Sequence, residues 1–476
     1  MGILGISYDG FLPLMALVDP HPALKAVVPM NPMVDGWRGD DWFHHGAFRA
    51  QNLSYIYEQQ ATRGNDLKWW SGYHDDYDLF LQAGSTGALA KSHGMEQLGF
   101  WRKLTEHPAY DAFWQQQAMD KVLAARTLKV PTLLVHSLYD AEDIYGALAV
   151  WKALKASQAK GAAAGAQVYL AMGPWNHGGE IGEGSGLGPL RFGQDTALQF
   201  RREILKPFLD QHLKGSGKAD LPPVSAFETG TNTWRRLPAW PVAGEGTAVR
   251  ATPFYLEAGL KVSTTAPAAG DAPYEEYVSD PARPVPFRAR PIQPVGYDPS
   301  HTWSQWLTDD QREASGRTDV VAFVSEPLKE PLRIAGEPVA NLVAATSGTD
   351  SDWVVKVIDV FPDEVANQPQ MGGYQLMVSA DIFRGRYRES VEVPKALKPN
   401  EPLVYRFALP AANHVFLPGH RVMVQVQSTW FPLYDRNPQT FVPNIFFAQP
   451  GDYRSATQRI YHMPGQASFV ELPVVK

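Results

Sequence analysis

The chain has 476 residues, 44% of them hydrophobic and 12% aromatic, with 14 Trp and no Cys. That length exceeds what one core holds, so two or three domains are expected, and the aromatic content marks a packed protein with aromatic-lined pockets rather than a disordered one. A net charge of −7 argues against nucleic acid or an anionic membrane as the main partner, the missing cysteines exclude disulfides, thiolate catalysis and Cys-ligated zinc, and no run approaches the ~18 apolar residues that span a bilayer.

Residues 1–40 read as strand, elbow, helix, strand. Ile3, Leu4 and Ile6 end a buried strand; Phe11, Leu12, Leu14, Met15 and Leu17 follow at helical spacing up to Asp19-Pro20; and 24–29 is a second short strand. Residues 42–120 are rich in Trp, Tyr, His and Gln, with helical stretches at 80–83 and 107–121 and no alternating pattern. They read as a helical insertion that caps a site. Over 128–215 the α/β character returns, with strands at 128–135 and 167–172 and helices at 145–155 and 196–214. The last helix ends at Gly215-Ser216-Gly217, a natural boundary. Beyond 220 the segments 320–324, 342–346, 353–360, 404–408 and 421–427 alternate or run β-branched between turn clusters, the signature of an antiparallel β-sandwich. The Pro- and Ala-rich stretch 263–298 reads as an irregular connection.

Three residues stand just past the ends of the strands of the α/β part: Ser7, Asp140 and His177. An acyl-transfer serine needs a base, a carboxylate to orient that base, and donors for the oxyanion. The order Ser, Asp, His is that of the α/β-hydrolases, and the carboxyl ends of parallel strands are where such sheets place their sites. Singly, each has an ordinary reading as a turn serine, a turn aspartate or a loop histidine; order and context together point to a triad. The elbow departs from G-x-S-x-G, because Gly5-Ile6-Ser7-Tyr8-Asp9-Gly10 brings its second glycine one position late.

Glu142 and Asp143 lie beside Asp140, and the acidic pair Asp40-Asp41 stands where the cap begins. Either these acids simply favour a helix N-terminus, or they form a carboxylate cluster that receives a substrate ammonium. Opposite charges at about 4 Å attract by roughly 4 kcal/mol at an effective dielectric near 20. Crowded acids also repel one another, so one is expected to stay partly protonated until a cation arrives. Tandem His44-His45 lacks the carboxylate–His spacing of a zinc helix, and the glycine run 182–188 has neither a Walker lysine nor a βαβ setting. No metal and no other cofactor is expected.

Together GISYDG, NPMVDGWRGDDWFHHGAFR, LYDAEDIYGA, GPWNHGG, SDWVVKVIDVFPD and WFPLYDRNPQT resemble the α-amino-acid ester hydrolases, relatives of the cocaine-esterase and X-prolyl dipeptidyl-peptidase group, and the likeness runs from Ser7 to the C-terminus. The resemblance implies an α/β plus all-β fold: an α/β-hydrolase domain from 1–41 and 121–215, a helical cap over 42–120, and a C-terminal jelly-roll β-sandwich over 218–476. It implies hydrolysis of esters and amides of α-amino acids through an acyl-enzyme, with transfer to β-lactam nuclei. Carried over, Ser7 is the nucleophile, His177 the general base and Asp140 its orienting acid, with the backbone N–H of Tyr8 as one oxyanion donor. Asp41, Glu142 and Asp143 bind the α-ammonium, and Trp42 either lines the acyl pocket or packs the cap onto the sheet. A small-molecule partner, a homotetramer and a periplasmic or secreted location are implied too.

The departure is at the front. Members of the family carry a long segment before the nucleophile that supplies a signal peptide, the first strands of the sheet and a tyrosine hydroxyl as second oxyanion donor. The chain is therefore expected to begin at an internal methionine or to be a fragment. Losing one oxyanion donor costs roughly 3 kcal/mol in the barrier, and losing strands exposes a sheet edge. The alternatives are a dipeptidyl-peptidase or a neutral carboxylesterase of the same superfamily, and an inactive remnant whose sandwich binds a partner or a carbohydrate.

Overall fold

A six-stranded and a fourteen-stranded sheet organise the chain in a computed structural model that describes residues 1–64, 66–159, 167–241, 248–268, 270, 272–297 and 301–476. The smaller sheet runs β1 (Gly2–Ser7), β2 (Ala26–Pro32), β3 (Thr132–Ser137), β4 (Val168–Gly173), β5 (Val224–Glu228), β6 (Thr233–Leu237). Neighbours from β1 to β5 are parallel, and β6 closes antiparallel on β5. Period-two alternation divides its side chains between two cores. Val27, Leu134 and Leu170 pack with Leu14 of α1 (Tyr8–Ala16) and with Leu148 and Trp151 of α2 (Gly146–Ala159). Val28, Val135 and Ala171 pack instead with Phe200 and Phe208 of the helical segment 196–214. Both faces are thus covered, which is why these strands read as unbroken apolar runs. β1 is an edge of the sheet, and Leu4 on it is 53% exposed.

One boundary differs from expectation. β5 and β6 lie inside 218–476, the span assigned to the sandwich, yet β5 pairs with β4 through Leu170, Ala171 and Met172. The larger sheet opens only at β7 (Val249–Glu257). A short apolar strand carries no local mark of the sheet it will join, and here Val224, Ala226 and Phe227 supply core to the first sheet.

Between β2 and β3 the chain forms short helices, among them Leu53–Gln60, Asp76–Ala83 and Gly99–Glu106. The helix expected over 107–121 is broken: Asp111 caps the single turn Ala112–Gln115 by accepting from the Phe113 N–H, and a new helix starts at Met119. The segment, which shows no alternating pattern in sequence, also holds a small hairpin of Phe43–His44 with Ala47–Phe48. His45 and Gly46 turn it with φ 44 and 89, the positive pair that a tight hairpin demands. A Cβ at Gly46 would meet the Tyr387 ring at 2.3 Å. The cap is not free-standing, because Phe43, Phe48, Trp101 and Trp114 share one aromatic core with Trp303, Trp306, Trp430 and Phe446.

The larger sheet wraps round a core that includes Leu256, Phe323, Leu342, Val355, Val424 and Leu472. All five alternating segments fall on its strands; its most extensive pairing joins β8 (Asp352–Val360) to β9 (Gln375–Arg384). The stretch 263–298 is not wholly irregular: Tyr274–Ser279 forms a strand on Ala456–Met463, its Tyr and Val obscured in sequence by Pro-rich flanks. Residue 298 lies outside the described residues. Among the described residues, no helix is long and apolar enough to cross a membrane.

Candidate active site

β1 delivers Ser7 at φ 64 and ψ −126, a backbone region that residues with a side chain rarely occupy. Two close approaches enforce the bend. A Cβ at Gly5 would lie 2.1 Å from the carbonyl oxygen of Asp9, and one at Gly10 would lie 2.6 Å from that of Met30 on β2. Asp9 itself is exposed. The contact that usually requires glycine two residues past the serine therefore falls at the third, which accounts for the late Gly10. Tyr8 opens α1, so its N–H belongs to the first-turn donors that a helix leaves without helical acceptors.

The loops after β3 and β4 are zipped together by two further backbone bonds, Leu138 N to Gly173 O at 2.9 Å and Tyr139 N to Trp175 O at 3.0 Å. This sets Asp140 opposite His177. Asp140 Oδ1 accepts from the backbone N–H groups of Glu142 at 2.8 Å and Asp143 at 3.0 Å, and lies 2.9 Å from His177 Nδ1. Burial pushes the Asp140 carboxyl up, but the imidazole and these hydrogen bonds outweigh it and hold it below the usual range. For His177 burial opposes the charged form, yet the charges of Asp140 and Glu142 prevail and hold the imidazole well above its ordinary value.

The serine is not hydrogen-bonded to that imidazole. Ser7 Oγ donates to Asp143 Oδ2 at 3.3 Å, while His177 Nε2 faces Glu142 Oε2 at 3.6 Å. A protonated imidazole has no lone pair with which to accept from the serine, so the two contacts agree with the direction of the His177 shift. Asp143 Oδ1 is buried and finds no hydrogen-bond partner among the described residues. Asp41 joins this group, its carboxyl pushed up to about 7 by burial and then by the charge of Glu142. Asp143 is pushed well up by burial and by Asp41. Asp40, grouped with Asp41 in the sequence, does a different job. Its Oδ2 accepts from Val34 N at 2.8 Å and Asp35 N at 3.0 Å, and its Oδ1 from Tyr145 N at 3.1 Å and Gly146 N at 3.0 Å, clasping the start of α2.

Several residues at the site carried no signal in the sequence. Trp303 Nε1 donates to Glu142 Oε1 at 2.8 Å and the Tyr297 hydroxyl to Oε2 at 3.1 Å. Both come from beyond the cap, out of a stretch without periodicity. A cavity of about 470 Å³ opens beside Asp41, walled by Tyr8, Trp42, Tyr55, Phe100 and Trp114. Trp42 is both wall and wedge, since it lines this space and meets Phe100 edge-on at 4.8 Å. Behind the histidine loop, the buried Glu180 accepts from Asn31 Nδ2 at 3.2 Å, and burial pushes its carboxyl up to about 7.

A strained serine at a strand–helix elbow, followed by an Asp–His pair on the next loops of one parallel sheet, defines a serine hydrolase of the α/β-hydrolase type. A model of the X-Pro dipeptidyl-peptidases (S15 family) matches residues 1–179, and one of the X-Pro dipeptidyl-peptidase C-terminal non-catalytic domain matches residues 216–471. The chain is 55% identical to a solved, selenomethionine-labelled α-amino acid ester hydrolase, covering 99% of this chain and 76% of that one at a TM-score of 0.94. It is 54% identical to an aminopeptidase from a marine sediment archaeon, Thaumarchaeota archaeon, with the same coverage and a TM-score of 0.95. To the cocaine esterase of Rhodococcus sp. (strain MB1 Bresler) it is 28% identical, over 100% of this chain and 81% of that protein. The chain belongs to the S15 family, among its cocaine-esterase-like α-amino-acid ester hydrolases, and is a serine ester hydrolase.

Proposed function

We propose that this enzyme hydrolyses esters and amides of α-amino acids with a free amine, β-lactam antibiotics among them. Ser7 is the nucleophile, His177 the general base, Asp140 its orienting acid and the Tyr8 N–H an oxyanion donor. The observation that carries the reading is Asp143: one carboxylate oxygen holds the Ser7 hydroxyl, and the other is buried without a partner among the described residues. A primary ammonium brings three donors into a pocket of three buried carboxylates, Asp41, Glu142 and Asp143.

The chemistry follows from the same contacts. A bound ammonium competes for Asp143 and Glu142, neutralises their field and lets His177 release its proton to water. Ser7 Oγ can then attack the substrate carbonyl as its proton passes to His177 Nε2. The imidazolium returns that proton to the departing alcohol or amine, leaving an acyl-enzyme. Water, or an amine such as a β-lactam nucleus, then takes the acyl group by the same steps in reverse. Trp42, Phe100 and Trp114 give the acyl side chain an aromatic wall.

Steady-state kinetics on an amino-acid ester and an acetate ester test the reading. Glu142→Gln is expected to raise KM for the amino-acid ester about tenfold or more, roughly 1.4 kcal/mol, and far less for the acetate ester. A wild-type enzyme that ignores the amine, or an equal effect on both esters, overturns it.

A second reading has its own support. The family model and one solved relative are described as a dipeptidyl-peptidase and an aminopeptidase, and the same carboxylates suit a peptide N-terminus. Faster turnover of an X-Pro anilide than of amino-acid esters would favour it.

A further inference from the structure

The tandem His44-His45 and Arg49 stand outside the triad and the carboxylate cluster, yet they form a buried bridge from the sandwich to the acid loop. Asp381 on β9 lies 2.8 Å from His44 Nδ1 and 3.5 Å from His45 Nε2. His44 Nε2 in turn lies 3.5 Å from Arg49 Nη1. Arg49 is 2% exposed and, among the described residues, forms no ion pair within 4 Å. Its Nη2 donates to the carbonyl oxygen of Ala141, and its Nη1 to that of Glu142 at 3.5 Å. The guanidinium also lies 5.8 Å from the ring of Trp303, the tryptophan that donates to Glu142, and 5.9 Å from that of Tyr434.

A buried cation is costly unless carbonyls, aromatic faces or nearby anions compensate it. All three do so here, and the carbonyls belong to the loop that carries Asp140, Glu142 and Asp143. We propose that Arg49 is a positioning residue of the ammonium site: by gripping adjacent carbonyls of the acid loop from beneath, it fixes where Glu142 and Asp143 present their carboxylates, and its charge offsets their crowding with Asp41. This rests on the reading that these acids bind the substrate amine.

The electrostatics around Asp41 give the assignment a pH signature. Glu142, Asp140, Asp143 and Asp40 face it as acids, Tyr55 and Tyr297 as hydroxyls, and His177 and Arg49 as cations. Arg49 is the member of this group that cannot lose its charge. Burial and Glu142 raise the Asp41 carboxyl, and Arg49 works against them. Without that cation Asp41 holds its proton to higher pH, so the amine site weakens most on the acid side and recovers as the pH rises.

Arg49→Met and Arg49→Lys in the full chain test this, with an amino-acid ester and an acetate ester assayed between about pH 5 and 9. Arg49→Met is expected to lower the ratio of kcat/KM for the amino-acid ester over the acetate ester at least about tenfold. The loss should appear in KM and shrink toward alkaline pH. Arg49→Lys keeps the charge without the fork, so it should restore the wild-type pH dependence but still lower the ratio several-fold. Should Arg49→Met fail to fold, Arg49→Lys alone decides. An unchanged ratio in the lysine variant, or a loss equal on both esters, overturns the assignment. A wild-type enzyme indifferent to the amine would instead sink the reading of the carboxylates, whatever Arg49 does.

Discussion

Ser7 Oγ donates to Asp143 and not to the imidazole, and His177 Nε2 faces Glu142, whose charge, with that of Asp140, holds the imidazole well above its ordinary value. The pH dependence follows with a definite sign. A raised imidazole stays protonated to higher pH, so the basic form appears only above the ordinary ~6.5. The acid limb of kcat/KM for a neutral ester is therefore expected above that value. Glu142→Gln removes one of the charges responsible and should move the limb down by about one pH unit. A limb at the ordinary position in the wild type, or unmoved in the variant, would contradict this. At the same scale, the places of Ser7, Asp140 and His177 at the ends of three strands were legible because the hydrophobic pattern marks those ends. The separate tasks of Asp40 and Asp41 were not, because the four N–H groups that Asp40 accepts come from residues 34, 35, 145 and 146, which only the fold brings together.

At the scale of elements, the elbow depends on how closely α1 approaches β2. Gly10→Ala places a Cβ 2.6 Å from the Met30 carbonyl, and backbone cannot give way as a side-chain end can. The expected cost is about 1–3 kcal/mol, read as a fall in Tm. Gly72→Ala, where nothing lies within 4 Å, is the control and should change Tm little. The sandwich strands were readable because one face is buried and alternation records it, as at Ala456–Met463, where buried and half-buried residues alternate. The break between Gln115 and Met119 was not readable, because Gln116-Gln117-Ala118 holds no Gly or Pro to mark it. Nor was the attachment of β5 to the first sheet, since pairing partners distant in sequence leave no local trace.

Across the whole molecule the three regions share structure as well as function. The cap and the sandwich bury one aromatic core between them. Arg384 of β9 bonds both Asp352 and Asp435 at 2.8 Å, and the backbone N–H of Phe48 in the cap donates to that same Asp435 at 3.1 Å. Residues of the second half reach back to Glu142. Calorimetric unfolding is accordingly expected to show one cooperative transition for cap and sandwich, with calorimetric and van't Hoff enthalpies in agreement; two resolved transitions would contradict the shared core. Tyr297 and Trp303 became visible only at this scale, through an approach across more than 150 residues of chain.

The late glycine of the elbow bears on how such enzymes are recognised in genomes. With Asp9 open to solvent and Gly10 against β2, the spacing that the backbone enforces is G-x-S-x-x-G. A screen keyed to the five-residue signature passes over this chain, and a six-residue window returns it. Other nucleophiles will be hidden in the same way wherever the first helical turn leans on the neighbouring strand at its third residue instead of its second.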